Sequence, residues 1–203
     1  MLQAQVHEET GGDMLNPRKS ILLALGSNLT SSAGSSDETL RAALHRLEKL
    51  GAAIRAVSTF YSTPAFPEGN GPDFVNAAVD ISADWSAQET LAICHQIEFE
   101  MGRERAQRWG QRTLDLDLIA YGDVVLPDAQ TQAEWRNLAP DRQISRTPSE
   151  LILPHPRMQD RAFVLVPLAD VAPDWKHPLL GQTVIQMRDA LNPADIKAVV
   201  ALE

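Results

Sequence analysis

The segment Arg112-Thr113-Leu114-Asp115-Leu116-Asp117-Leu118 sets two carboxylates one residue apart in a run that otherwise alternates with leucine. Side chains of an extended chain alternate with a period of two. Leu114, Leu116 and Leu118 therefore face one layer, and Asp115 and Asp117 lie together on the other. Carboxylates held that close repel each other unless a cation joins them, and such a pair suits Mg²⁺, which keeps waters and binds substrate phosphates. The competing reading is a solvated strand face whose acids pair with neighbouring arginines. Arg103, Arg105, Arg108 and Arg112 fall within ten positions just before the acids, with Glu104 alone against them. A planar guanidinium fork matches phosphate oxygens. Acids for a metal beside arginines for a polyphosphate point to phosphoryl-type transfer from ATP to a small organic acceptor.

A second basic group follows in His155-Pro156-Arg157-Met158-Gln159-Asp160-Arg161. His155 could approach a phosphate, or serve as a structural histidine in a proline-shaped turn. Neither a cysteine pair nor an HExxH run accompanies it, so zinc is not indicated. A Gly-rich phosphate loop of the Walker type is also missing. Trp109 reads equally well as a nucleotide wall and as a loop anchor. Upstream, Phe74 and Asn76 share a strand face with Asp80, away from Val75, Ala77, Val79 and Ile81.

These residues need elements to hold them. Ile21-Leu22-Leu23-Ala24-Leu25 is a short apolar run closed by Gly26-Ser27-Asn28, a buried strand entering a turn. Leu40, Ala43, Leu44, Leu47 and Leu50 recur at helical spacing behind a cap at Ser36 or Asp37, with Gly51 as a stop. Residues 53–61 are β-prone, and a Pro/Gly-rich loop runs from Thr63-Pro64 to Gly71-Pro72. A strand over roughly 73–83 follows, then a helix from Ser86 to about Met101, and a strand over 114–121. The order β-α-β-β-α-β predicts an α+β, ferredoxin-like sandwich with C-terminal additions. Residues 128–148 read as a polar surface insertion with a short helix around Trp135, and a last helix is expected near 183–191.

The chain has 203 residues, enough for one core, and a single cysteine, Cys94. Residues 1–18 read as a loose extension, and 19–203 as one domain. No run approaches the roughly 18 apolar residues of a membrane span, and the N-terminus lacks an export-signal core, so the expectation is a cytoplasmic protein. A formal charge of -9 opposes broad attraction to nucleic acid or anionic membrane.

The combined motifs closely resemble the 6-hydroxymethyl-7,8-dihydropterin pyrophosphokinases of folate biosynthesis. The matching blocks are Ala24-Leu25-Gly26-Ser27-Asn28-Leu29, Ser62-Thr63-Pro64, the stretch Pro72 to Val79, Glu98 to Arg103, Arg108 to Asp117, and Pro154-His155-Pro156-Arg157-Met158 through Arg161. The resemblance implies transfer of the β,γ-pyrophosphoryl unit of ATP to the pterin hydroxymethyl oxygen, with AMP released. Asp115 and Asp117 would hold two Mg²⁺ ions. Arg103 and Arg112 would stabilise phosphate charge, with His155, Arg157 and Arg161 near the nucleotide and leaving group. Glu98, Arg105 and Trp109 would complete the nucleotide side, although the segment from Arg103 to Trp109 is one residue shorter than in some members. The pterin would insert between Phe74 and Phe163, bonded by Asn76 and by backbone near Thr63, Pro64 and Phe66. A monomer is implied, with a homodimer as the alternative. The rival readings are an ATP-dependent transferase with another acceptor, and a noncatalytic nucleotide- or RNA-binding module on the same fold.

Overall fold

The computed structural model describes residues 19–65, 71–102, 113–139, 142 and 146–203. Strand β1 (Ile21–Ser27) is buried along its whole length. Its residues show no polar alternation because both faces of the sheet are covered. It pairs antiparallel with β4 (Phe74–Ser82) on one side and β5 (Asp115–Tyr121) on the other. On the far side of β4 lie β2 (Ala53–Val57) and β3 (Tyr61–Thr63), successive lengths of chain along one edge. The path runs β5-β1-β4-β3-β6, with β2 also on β4. The two-residue strand β6 (Val200–Ala201) was not expected from the sequence, since so short a segment carries no periodicity.

Helices α1 (Ser36–Lys49) and α2 (Ala87–Glu100) pack on one face. Leu40, Ala43 and Leu47 of α1 and Cys94 and Ile97 of α2 meet Leu23, Leu25, Ala77, Val79, Leu116 and Leu118 there. Helix α1 begins one residue earlier than expected, at the N-cap Ser35. The reason is Glu38, whose carboxylate accepts the Ser35 N–H at 2.8 Å and so sets the start of the helix. Gly51, at φ +107°, ends it as anticipated.

The other face carries a second core that the sequence reading treated only as C-terminal additions. Helix α4 (Ala162–Val171), together with α5 (Val184–Asp189), sets Val164, Leu165, Leu168, Val184 and Met187 against Leu22, Ala24, Ala78, Ile119 and Ala120. Beyond α5, a short helix α6 (Pro193–Lys197) leads to β6. The segment after Asp128 contains the short helix expected around Trp135. This is α3 (Ala129–Arg136), whose Gln132 is fully buried and donates to the Pro154 carbonyl at 3.1 Å. This helix therefore buttresses the histidine loop instead of lying loose on the surface. No helix among the described residues is long and apolar enough to cross a membrane.

Candidate active site

The sheet register builds the site. Gly26 on β1 lies opposite Asn76 on β4 and opposite Asp115 on β5, while Ala24 lies opposite Ala78 and Asp117. Cross-strand partners point to the same face, so Asn76, Gly26 and Asp115 form one row and Ala78, Ala24 and Asp117 the next. Ala24 and Ala78 belong to the second core; Gly26 and Asn76 do not. The first row thus lies one step beyond the sheet area that α4 covers. Strands are spaced by roughly 4.8 Å, so Asn76 and Asp115 stand roughly 10 Å apart across the glycine.

Gly26 keeps this floor clear. A Cβ there would come within 3.0 Å of the Asn76 Oδ1 and 4.0 Å of the Phe74 ring. Asn76 is itself nearly buried, and its Nδ2 donates to Thr63 Oγ1 at 2.7 Å. With the nitrogen so committed, the carbonyl oxygen is the group turned toward Gly26. Thr63, expected to contribute backbone, also has its hydroxyl on the Asn76 amide. Pro64 beside it is exposed, and Phe74 is half-buried. Asn28 closes the same end, donating from Nδ2 to the Pro72 carbonyl at 3.2 Å.

On β5 the alternation expected from the sequence holds: Leu114, Leu116 and Leu118 are buried in the first core, and Asp115 and Asp117 are half-buried on the opposite face. A β-bulge places Ile119 as the extra residue between Leu118, opposite Leu23, and Ala120, opposite Leu22. The Ile119 carbonyl accepts the His155 N–H at 2.8 Å, which fastens the histidine loop to the acidic strand. Glu98 lies behind the acids. It is 2% exposed, and its Oε1 accepts the Leu116 N–H at 2.8 Å.

The cationic side stands directly beside the acids. Arg161 Nη1 is 3.7 Å from Asp117 Oδ2. The Arg161 guanidinium also lies 5.6 Å from the centre of the Phe163 ring, at the start of α4, where Phe163 is 41% exposed. Arg157 approaches Asp160 at 3.8 Å, but its buried Nε has no hydrogen-bond partner among the described residues. Desolvation, followed by the like charge of Arg161, lowers the Arg157 pKa. His155 keeps some accessible surface yet sits deep among protein atoms. Desolvation first, then Arg161 and Arg157, push its pKa down to about 3, with Asp115 opposing. Its Nδ1 accepts the Arg157 N–H at 3.1 Å, so the imidazole is neutral at pH 7. Two cations and an unpaired buried donor make this corner a seat for an anion.

The donor set fits Mg²⁺. Two hard carboxylates, both half-buried, lie on one face of β5. Among the described residues no three His, Cys, Asp or Glu side chains gather as a metal cage, so water and phosphate would complete the shell. Phe66, Arg103, Arg105, Trp109 and Arg112 lie outside the described residues. Gly26 was missed as a site residue; its strand-end position in a block shared with the family was the available signal.

An antiparallel sheet flanked by helices, with Asp115 in the row of Asn76 and Gly26 and Asp117 in the next, is the frame of a transferase. The chain matches the family model of 7,8-dihydro-6-hydroxymethylpterin-pyrophosphokinase over residues 22–173 and belongs to that family. A Synechocystis protein named 2-amino-4-hydroxy-6-hydroxymethyldihydropteridine pyrophosphokinase is 37% identical over 172 residues, covering 84% of this chain and 75% of the relative. The Haemophilus influenzae protein of the same name is 33% identical over 179 residues, covering 84% and 97%. The fold is similar to that of Plasmodium falciparum HPPK-DHPS, with a TM-score of 0.60 at 17% identity over 85% of this chain. This chain spans 44% of that longer one.

Proposed function

We propose that the protein transfers the β,γ-pyrophosphoryl group of ATP to 6-hydroxymethyl-7,8-dihydropterin, giving the pterin diphosphate and AMP in folate biosynthesis. Family membership supports the reaction class. The observation that supports the substrate arrangement is the row Asn76, Gly26, Asp115, an amide and a carboxylate on one floor. The pterin lies over Gly26, its polar edge on the Asn76 carbonyl and its faces against Phe74 and Phe163. The hydroxymethyl group then points along the row toward Asp115. Its oxygen forms the bond to Pβ as the Pα–O–Pβ bridge breaks; AMP keeps the bridging oxygen, and the hydroxyl proton passes to water.

Asp115 and Asp117 would hold two Mg²⁺ ions, which would supply charge neutralisation and polarisation at the phosphates. Arg161 and Arg157 neutralise phosphate charge from the far side, and neutral His155 donates or accepts a hydrogen bond at the nucleotide. Arg103 and Arg112 would add to the neutralisation of phosphate charge, and Arg105 and Trp109 would complete the nucleotide side. Positioning and charge neutralisation carry most of the rate enhancement, as phosphoryl-type transfers require.

The strand order β5-β1-β4-β2/β3 supports a ferredoxin-like reading in which β2 and β3 are one interrupted strand. Residues 19–203 then form one domain, cytoplasmic and monomeric, without a nucleic-acid partner. The test is a nucleotide-product assay with ATP, Mg²⁺ and the pterin. Stoichiometric AMP and pterin diphosphate are expected; ADP would overturn the reaction.

A further inference from the structure

Among the described residues β5 is an edge strand: β1 occupies one side, and no other described strand is hydrogen-bonded to the opposite side. An edge backbone has outward N–H and C=O groups that need partners. Here they come from two different elements. The His155 N–H takes the Ile119 carbonyl, and the Glu98 carboxylate takes the Leu116 N–H at 2.8 Å. Leu116 is the residue between the two acids, and its side chain is locked in the first core. Glu98 lies on the last turn of α2 and is almost wholly buried, on the helix side of the sheet.

A buried carboxylate is expensive unless it is well bonded, and a hydrophobic residue at this helix position would join the stripe of Cys94 and Ile97 at lower cost. Its placement makes sense as a clamp. Charge-assisted bonds to backbone N–H groups are short and strong, and this one holds the amide of the residue that lies between the two acids. We propose that Glu98 is a positioning residue, fixing the Asp115–Asp117 pair through the Leu116 amide so that the two carboxylates keep the spacing a metal–nucleotide complex requires. This rests on the pyrophosphokinase reading above and differs from a direct contact between Glu98 and the nucleotide.

The test compares wild type, Glu98→Gln and Glu98→Ala. Three quantities are read: amide hydrogen exchange at Leu116, Mn²⁺ affinity with a nonhydrolysable ATP analogue by electron paramagnetic resonance, and turnover. Glu98→Ala should speed Leu116 exchange and weaken Mn²⁺ binding by about tenfold or more, the scale of lost support behind a metal ligand. Glu98→Gln retains an acceptor oxygen, so Leu116 should stay protected and Mn²⁺ affinity should stay within about threefold of wild type. The proposal is overturned if Glu98→Ala leaves Mn²⁺ affinity unchanged, or if Glu98→Gln loses it while Leu116 remains protected. Should Glu98→Ala not fold, the Glu98→Gln result decides alone. A wild type that binds no Mn²⁺–nucleotide would instead count against the metal-site reading, so the two failures are separable.

Discussion

Arg161 reaches from the cap position of α4 to bring its Nη1 within 3.7 Å of the Asp117 Oδ2 on β5. Both side chains keep a quarter to a third of their surface, 25% and 34%. Exposed pairs of this kind contribute about 0–1 kcal/mol, so the contact can open at little cost. On the proposed reading, the arginine would turn from the carboxylate to phosphate once substrate is bound. The same two groups can therefore serve folding and binding in turn.

Replacing either acid by its amide should separate those roles. Asp115→Asn and Asp117→Asn are expected to lower turnover by ~100-fold or more, the scale of losing one charge-stabilising group. The thermal midpoint should move little. Steady-state assays at saturating Mg²⁺, paired with a melt, check this; near-normal turnover in either variant would remove that acid from the metal site.

Gly26→Ala tests the floor. The added methyl would stand 3.0 Å from the Asn76 Oδ1, tighter than most packed contacts, so the amide must shift; overpacking of this kind costs about 1–3 kcal/mol. Pterin affinity should fall by roughly tenfold or more, with nucleotide affinity nearly unchanged. Separate titrations of the two ligands distinguish this from general misfolding, which would weaken both.

Thr63→Val removes the acceptor for the Asn76 Nδ2 while keeping shape. A buried donor left unpaired costs about 1–3 kcal/mol. We expect lower stability and weaker pterin binding, because the amide can then rotate and turn its nitrogen toward Gly26. A ligand titration with wild-type affinity would show that Thr63 does not orient the amide.

The carboxylate pair was legible because its information is local: a period of two along Leu114 to Leu118 separates acids from leucines without knowledge of the rest of the chain. Phe74 and Asn76 were readable for the same reason. Gly26 was not, because its importance comes from register with β4 and β5, which only the assembled sheet defines. The bond from Glu98 to Leu116 likewise joins residues 18 positions apart. Helix α4 was hidden by its composition. Ala162 to Val171 is apolar almost throughout, so no amphipathic period emerges, and Pro167 within it reads as a breaker. Gln132 was hidden by type: a glutamine in a polar stretch looks solvated until a buried carbonyl takes its amide.

Acid sensitivity gives a further check. His177 is fully buried, and its Nδ1 accepts the N–H groups of Leu179 and Leu180, both at 3.2 Å. Desolvation, then the charge of Arg136, lower its pKa from 6.5 to about 4. The unfolded imidazole takes up a proton first, so the stabilisation is complete above pH 6.5 and is lost as pH falls toward about 4. Depressed His155 acts in the same direction. His177→Asn keeps an acceptor near Nδ1 and cannot titrate, so its melting temperature should decline less steeply than wild type between neutral pH and pH 5. Parallel declines would show that His177 does not contribute.

The bulge at Ile119 has a consequence for how such a chain can diverge. Residues before it place acids over the site, and residues after it place Ala120 in the second core, so a one-residue gain or loss anywhere along β5 would move one of these sets to the wrong side of the sheet. Descendants of this gene therefore have to inherit the strand up to Tyr121 at constant length.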